Sequence, residues 1–212
     1  MAQARTRRRP FSLEEARFAV LDLETTGFSP EADRIVEIAV VVTDARGAIH
    51  REYTTLVRPG IPVRATRLHG ISDADVVGAP RFPEIVGDVG ALLRGAIVVG
   101  HNLGFDLRFL RTEFERARLE LPPWPGLCTM QLARWLLTLD AYGLEDCCRA
   151  LKVRPGPEHR ALPDARATAG LLCRLLHRAR RRGCEDVREL GCSPRRFRAV
   201  RFPPPSGRSL PR

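Results

Sequence analysis

The pattern of apolar and polar positions predicts a sheet near the start of the chain. An apolar run at 18–23 ends in Thr-Thr-Gly, which is typical of a buried strand that runs into a loop. Two segments rich in β-branched residues follow at 35–43 and 49–57, with a turn at 44–47 between them. Together the three segments predict an antiparallel meander.

The rest of the chain alternates helical periods with one more strand. The apolar run at 96–100 predicts a fourth strand, and the proline-rich segment 122–126 predicts a loop. Helical periods and capping signals predict helices at 72–77, 82–94, 105–119, 129–138, 144–152 and 163–182. Strands first, and then strands alternating with helices, indicate a single α/β domain with a mixed β-sheet flanked by helices.

The charge is unevenly distributed along the 212 residues, which carry a net +10. Residues 1–12 hold four arginines and no acidic residue, and residues 178–212 hold eleven arginines and three acidic residues, whereas 13–177 is close to neutral. We therefore expect a basic arm at 1–12, a folded domain at 13–183 and a basic, proline-rich tail at 184–212. Basic arms indicate a polyanionic partner, most simply nucleic acid; tails that only solubilise the protein are the alternative.

The composition excludes several classes of protein. Lys152 is the only lysine and follows a leucine, so no phosphate-binding P-loop exists. The six cysteines lack Cys-x-x-Cys spacing, which argues against zinc, and no secretory leader favours disulfides. No apolar run approaches the roughly 20 residues that span a bilayer. We therefore expect a cytoplasmic protein with reduced cysteines and no membrane partner.

Two acidic residues stand at the end of the first predicted strand. Asp22 and Glu24 are two positions apart, so their side chains project on the same side of the strand. Like charges this close, in a poorly solvated setting, destabilise the fold unless a cation binds them. The pair indicates a cation site, and an edge strand whose acids face water is the alternative.

Two later segments place acids at similar boundaries. Asp106 falls in the first turn of the helix that follows the fourth strand. The polar pair His-Asn at 101–102 comes directly after that strand, and polar residues at the carboxyl end of a buried strand favour a site there. Asp164 falls in the first turn of the last helix, where Pro163 suits the first helical position. His159 lies in the approach loop, where solvent can reach it, as a general base requires.

Four acids on three segments suggest convergence on two divalent cations. Carboxylate oxygens, without cysteine or several histidines, favour Mg²⁺ or Mn²⁺ over zinc. Two such cations beside a histidine base are typical of in-line attack on a phosphodiester. The residues thus indicate a metal-dependent phosphodiesterase.

The order and spacing of these residues also resemble a known family. Asp-x-Glu-Thr-Thr-Gly at 22–27, His-Asn-x-x-Phe-Asp at 101–106 and His-x-x-x-x-Asp at 159–164 resemble the motifs of the DEDDh (DnaQ-like) 3′–5′ exonucleases. That family includes the proofreading epsilon subunit of bacterial DNA polymerase III. The resemblance covers about residues 17–180. Arg160 stands where the sister subtype has tyrosine, which indicates the h-subtype.

The resemblance implies a ribonuclease-H-like fold and a site with two metal ions. It implies that Asp22 bridges both ions, that Glu24 and Asp164 join it at the ion beside the attacking water, and that Asp106 helps to hold the ion beside the leaving group. His159 would deprotonate that water. Contacts to the terminal nucleotide are implied for five positions, namely Thr25, Thr26, His69, Asn102 and Phe105.

The expected activity is hydrolysis from the 3′ end of single-stranded or frayed DNA, by a polymerase proofreading subunit or a stand-alone repair nuclease. The expected partners are single-stranded 3′ ends and a DNA polymerase subunit. A 3′–5′ exoribonuclease of the RNase T or oligoribonuclease type is the alternative, because no motif reports contacts to the 2′-hydroxyl. A catalytically silent nucleic-acid-binding module is disfavoured, since it would not need the four acids and the histidine.

Overall fold

The computed structural model describes residues 12–156 and 159–191. One five-stranded sheet has the strand order β3-β2-β1-β4-β5. The β1–β2 and β2–β3 pairs are antiparallel, whereas β1–β4 and β4–β5 are parallel, so the predicted meander and mixed sheet are confirmed. The strands are β1 (Arg17–Thr25), β2 (Ile35–Asp44), β3 (Ile49–Leu56), β4 (Ile97–Gly100) and β5 (Gly126–Cys128).

Helices cover both faces of the sheet, as the sequence predicts for an α/β domain. The helices are α1 (Thr66–His69), α2 (Asp73–Val76), α3 (Phe82–Leu93), α4 (Leu103–Arg116), α5 (Thr129–Leu136), α6 (Leu144–Leu151) and α7 (Ala161–Arg181), followed by a 3₁₀ turn at Val187–Leu190. Helix α1 and strand β5 were not predicted. They have four and three residues, which is too short for a periodic pattern of apolar residues to be recognised. In the described part of the chain, no helix combines the length and the apolar character needed to cross a membrane.

Strand β1 lies in the centre of the sheet, between β2 and β4. Phe18 and Val20 pack against α5, α6 and α7 on one face, while Ala19 and Leu21 pack against α3 and α4 on the other. A strand covered on both faces reads as a continuous apolar run, which explains the segment before Asp22. The alternative of an edge strand whose acids face water is therefore wrong.

The last helix begins earlier than predicted. Helix α7 starts at Ala161, so Pro163 is its third residue and not its first, although Asp164 still lies in the first turn. The amide of Ala161 donates to a carboxylate oxygen of Glu37 on β2, at 2.9 Å. A sequence window cannot contain this partner, because it lies more than a hundred residues away along the chain.

The packed domain extends past the predicted boundary at 183. Ser12 forms an antiparallel bridge with Asp186, and the amide of Leu13 donates to the carbonyl of Glu185 at 2.9 Å. Val187 and Leu190 are buried in the core that α7 shares with the sheet. The chain therefore remains part of the fold up to residue 190. The rest of the predicted arm and tail, residues 1–11 and 192–212, falls outside the described ranges.

Candidate active site

The ends of three elements bring the four predicted acids together. Asp22 and Glu24 come from β1 and Asp164 from the first turn of α7, and one carboxylate oxygen of each lies within 4.8 Å of the others. Because β4 runs parallel to β1, the helix that follows β4 starts at the same edge of the sheet. That helix, α4, carries Asp106, whose charge acts on Asp22 and whose side chain is 5% exposed.

Burial and mutual repulsion raise the pKa values of these acids. Burial, and then the charges of Asp106, Asp164 and Glu24, hold the pKa of Asp22 well above its usual range. Burial, followed by the charge of Asp164, raises the pKa of Glu24 to about 7. Burial raises the pKa of Asp106 to about 8, although hydrogen bonds from backbone amides oppose the shift. A bound cation would relieve this repulsion.

The donor set of this cluster suits a hard divalent cation. All the converging ligand atoms are carboxylate oxygens, the ligands that Mg²⁺ and Mn²⁺ prefer. Within residues 12–156 and 159–191, no basic side chain forms an ion pair with Asp22, Glu24 or Asp106. Asp22 is only half-buried, which leaves the cluster accessible to an ion from solvent.

His159 is exposed just before α7, as predicted. Its backbone has φ +57°, in the left-handed region that residues with a Cβ seldom adopt. It lies close enough to the end of β1 for its charge to act on His69, which hydrogen-bonds to Thr25. The histidine is thus open to water, five residues before Asp164 in the chain.

Arg160, the next residue, is bound to a buried carboxylate. Its guanidinium donates through Nε (3.1 Å) and Nη2 (2.9 Å) to the two oxygens of Glu37. Glu37 is 4% exposed and lies directly across from Glu24 in the β1–β2 pair.

Thr26, for which the resemblance implies a contact to the terminal nucleotide, is held inside the loop that follows β1. This residue is 0% exposed. Its hydroxyl donates to Asp33 at 2.9 Å and accepts from the amide of Arg34 at 3.0 Å. The side chain therefore fixes the loop after β1. Thr25 is also buried, and its hydroxyl donates to the carbonyl of Gly27 at 2.6 Å.

His69 is likewise an internal support. It is 3% exposed, its Nδ1 accepts from the amide of Ile71 and its Nε2 donates to the carbonyl of Thr25, each at 3.1 Å. Because Nδ1 accepts, the ring is neutral with the proton on Nε2, and burial lowers its pKa accordingly. His69 fixes the backbone at the end of β1, which differs from the predicted direct contact with the nucleotide.

The other two predicted contacts remain accessible. Asn102 is exposed, in a left-handed conformation (φ +71°) at the start of α4. Phe105 is half-buried and lies against Phe109, with 5.0 Å between the ring centroids. Both stand on the turn that delivers Asp106.

Two exposed apolar residues near the site were missed. Phe28 is 75% exposed in the loop after β1, and Leu68 is 44% exposed beside His69. Both sit next to motifs that the sequence analysis used, and a large apolar side chain in a polar loop was the only signal that could have revealed them.

Comparison with known proteins gives a consistent result. A family model described as "Exonuclease" matches residues 19–172. The DNA polymerase III subunit epsilon of Aquifex aeolicus is 34% identical over 168 residues, which cover 78% of this chain and 83% of that protein. The PolC-type DNA polymerase III of Thermotoga petrophila is 35% identical over 84% of this chain but only 13% of its own length. Several other relatives are also much longer, and the chain spans 13% to 29% of them.

Solved structures agree on the fold. Exonuclease X in complex with 5′ overhanging duplex DNA superposes with a TM-score of 0.64 and 28% identity, over 82% of this chain and 98% of that one. Escherichia coli Exonuclease I in complex with a dT13 oligonucleotide gives a TM-score of 0.69 at 19% identity, over 80% and 43%. These matches confirm the ribonuclease-H-like fold class.

Proposed function

The chain belongs to the exonuclease family, and we propose that it is a metal-dependent 3′–5′ exonuclease that acts on single-stranded or frayed DNA ends in the cytoplasm. One observation carries the proposal: buried and half-buried carboxylates from β1 and α7 converge within 4.8 Å of one another, and the buried Asp106 of α4 acts electrostatically on Asp22. A silent binding module would have no reason to retain a cluster whose acids raise one another's pKa values.

We assign the acids to two cations. Asp22, Glu24 and Asp164, whose oxygens lie within 4.8 Å of one another, would hold one ion. Asp22 and Asp106, which interact electrostatically, would hold the other. When bound, such a pair of ions activates a water molecule and stabilises both the attacking and the leaving oxygen of an in-line displacement.

His159 is assigned as the general base. It is open to solvent and precedes the helix that carries Asp164. In the proposed reaction it accepts the proton of the attacking water, whose oxygen bonds to phosphorus while the bond from phosphorus to the 3′-oxygen breaks. That 3′-oxygen leaves on the shortened strand and takes up a proton, so each turnover releases a nucleoside 5′-monophosphate.

Accessible side chains near the site suit the terminal nucleotides. Asn102 offers an amide, and Phe105, Phe28 and Leu68 offer apolar surface on which bases can stack. These contacts do not select one base, as expected of an enzyme that removes nucleotides in succession.

The comparisons support DNA as the substrate and a polymerase as a partner. Exonuclease X, at 28% identity, was solved with DNA, and a relative that matches over most of both chains is a DNA polymerase III subunit epsilon. We propose the same substrate class for this chain, together with association with a DNA polymerase subunit.

Matched, end-labelled single strands of DNA and RNA test the proposal. With Mg²⁺ or Mn²⁺, we expect stepwise shortening of the DNA from its 3′ end, release of nucleoside 5′-monophosphates and no reaction in EDTA. His159→Ala should lower the rate roughly 10²–10⁴-fold with little change in DNA affinity. Preferential degradation of RNA would favour the exoribonuclease alternative, and cleavage in EDTA or a fully active His159→Ala variant would contradict the assigned mechanism.

A further inference from the structure

Glu37 is a buried carboxylate that no step of the proposed reaction uses. It lies on β2 with 4% exposure, and its cross-strand partner is the acid Glu24. Two like charges directly opposite each other in an antiparallel pair are destabilising. Another interaction of Glu37 must therefore offset its repulsion with Glu24.

Three hydrogen bonds join it to the start of α7. Oε2 accepts from the amide of Ala161 at 2.9 Å and from Nε of Arg160 at 3.1 Å, and Oε1 accepts from Nη2 of Arg160 at 2.9 Å. The two-pronged pairing with a guanidinium is geometrically specific as well as strong. Arg160, at the N-cap position, makes no capping bond with its own side chain, so a residue from the sheet satisfies this helix end.

The residue next to this clamp is the proposed base. His159 has a left-handed backbone (φ +57°), which costs roughly 1–2 kcal/mol for a residue with a Cβ and persists only where the surroundings impose it. On its carboxyl side, Arg160 and Ala161 are fixed to Glu37. Strand β2 is buried along nearly all its length, so the clamp ties the histidine to a rigid part of the fold.

We propose that Glu37 is a positioning residue for His159. By holding Arg160 and Ala161, it fixes the direction in which the histidine enters the site and keeps its ring beside the attacking water. The inference rests on the proposed function, in which His159 is the base. A displacement of about 1 Å in such a group can cost up to about 10²-fold in rate.

The chain offers a matched control for this test. Glu52 on β3 binds Arg166 of the same helix with the same two-pronged geometry, but one and a half turns past the helix start. Glu37→Gln and Glu52→Gln each remove one charge and keep the side-chain shape. We expect Glu37→Gln to lower kcat by roughly 10- to 100-fold with KM and Mn²⁺ affinity within about threefold of the parent, and Glu52→Gln to change kcat less than twofold.

Combination with His159→Ala separates positioning from a structural role. If Glu37 acts through His159, Glu37→Gln should have no further effect on kcat once the histidine is gone. An equal loss in both backgrounds, or a loss of Mn²⁺ affinity that accounts for the lower rate, would overturn the proposal. Arg160→Lys keeps a cation beside Glu37 but loses the two-pronged pairing, so it should reproduce part of the kcat loss and remains informative if Glu37→Gln does not fold.

Hydrogen exchange gives a readout that does not depend on activity. The Ala161 amide should exchange faster in Glu37→Gln than in the parent, whereas Glu52→Gln should leave it unchanged. Unaltered exchange in Glu37→Gln would overturn the clamp even in an active enzyme. If instead the parent chain lacks nuclease activity but the exchange result holds, the proposed function fails and the clamp stands as a feature of the fold.

Discussion

Glu24 and Glu37 face each other across the β1–β2 pair, and among the described residues Glu37 pairs with an arginine whereas Glu24 does not. Burial and the nearby acids raise the pKa of Glu24 to about 7. The charge of Glu37 is therefore neutralised by a side chain of the protein, whereas the charge of Glu24 can be neutralised by a proton or by a bound metal ion. This difference also has a measurable consequence for stability.

Without metal, the protein should lose stability as the pH rises. Glu24 and Asp106 have pKa values of about 7 and about 8 in the folded state, against ordinary values of 4.5 and 3.8. Their protonated forms stabilise the folded state fully below about pH 4, and that stability is lost as the pH rises through 7 to 8. Urea unfolding in EDTA between pH 5 and 8 measures the trend, and Mg²⁺ should offset it most at the higher pH.

A variant isolates this contribution from that of the buried histidines. Burial lowers the pKa values of His69 and His101, which makes stability rise with pH in the acidic part of the range. Asp106→Asn retains both histidines and should lose part of the decline at higher pH. Stability in EDTA that stays level from pH 6.5 to 8 in the parent protein would contradict the electrostatic description of the site.

Asp22→Asn should abolish activity without weakening the fold. The residue would contribute to both ions, and metal ions supply several kcal/mol of transition-state stabilisation, so we expect a loss of about 10³-fold or more. In EDTA at pH 8 the variant should melt no lower than the parent, because one of the mutually repelling groups is gone. Calorimetry checks this, and a melting temperature several degrees lower would reveal a structural role for Asp22.

Phe28→Ala should weaken binding to single-stranded DNA. The side chain is 75% exposed near the end of β1, where it can stack on a base, and such stacking is worth about 1–3 kcal/mol. Ile49→Ala provides the control, because Ile49 is also an exposed apolar residue (48% exposed) but lies on the edge strand β3. Fluorescence anisotropy with a labelled single strand should show roughly 5- to 150-fold weaker binding for Phe28→Ala. Equal affinities for the two variants would exclude Phe28 from the DNA path.

Removal of residues 1–11 and 192–212 should weaken binding to long single strands. These segments contain four and six arginines and no acidic residue. Each phosphate that they neutralise adds about 0.7 to the slope of log affinity against log salt. The trimmed protein should show a flatter slope but unchanged cleavage of a dinucleotide. An unchanged slope would indicate that the tails only solubilise the protein. The cut must fall after residue 190, because Val187 and Leu190 belong to the core.

The sequence predicts best what local patterns encode. Asp22 and Glu24 were identified because strand alternation and an apolar run are visible within ten residues, and Asp106 and Asp164 because helix starts carry capping signals. Their convergence was predicted because carboxylates on several segments suit a shared pair of cations. The parallel pairing of β1 with β4 explains it, because it brings the end of β1 and the start of α4 to the same edge of the sheet. Strand β5 escaped prediction because three residues form a strand only through pairing with β4.

Hydrogen bonds that form only in the folded chain account for most of the differences. Thr26 and His69 are polar residues beside the site, and nothing local distinguishes a side chain that faces solvent from one that is fully satisfied inside. Thr26 is occupied by Asp33 and Arg34, and His69 by the backbone of β1, 44 residues away. The partnership of Glu37 with Arg160 spans 123 residues, so it too could be seen only in the folded protein.

The bridge between Ser12 and Asp186 has a consequence for protein architecture. The chain enters and leaves the domain at adjacent points, at the start of β1, whereas the acids lie at its other end, about 25 Å away for a strand of this length. A domain whose two ends are close together can be inserted into a larger polypeptide without distortion of its fold. Such portability suits a fold that, in several relatives, makes up less than a third of the whole protein.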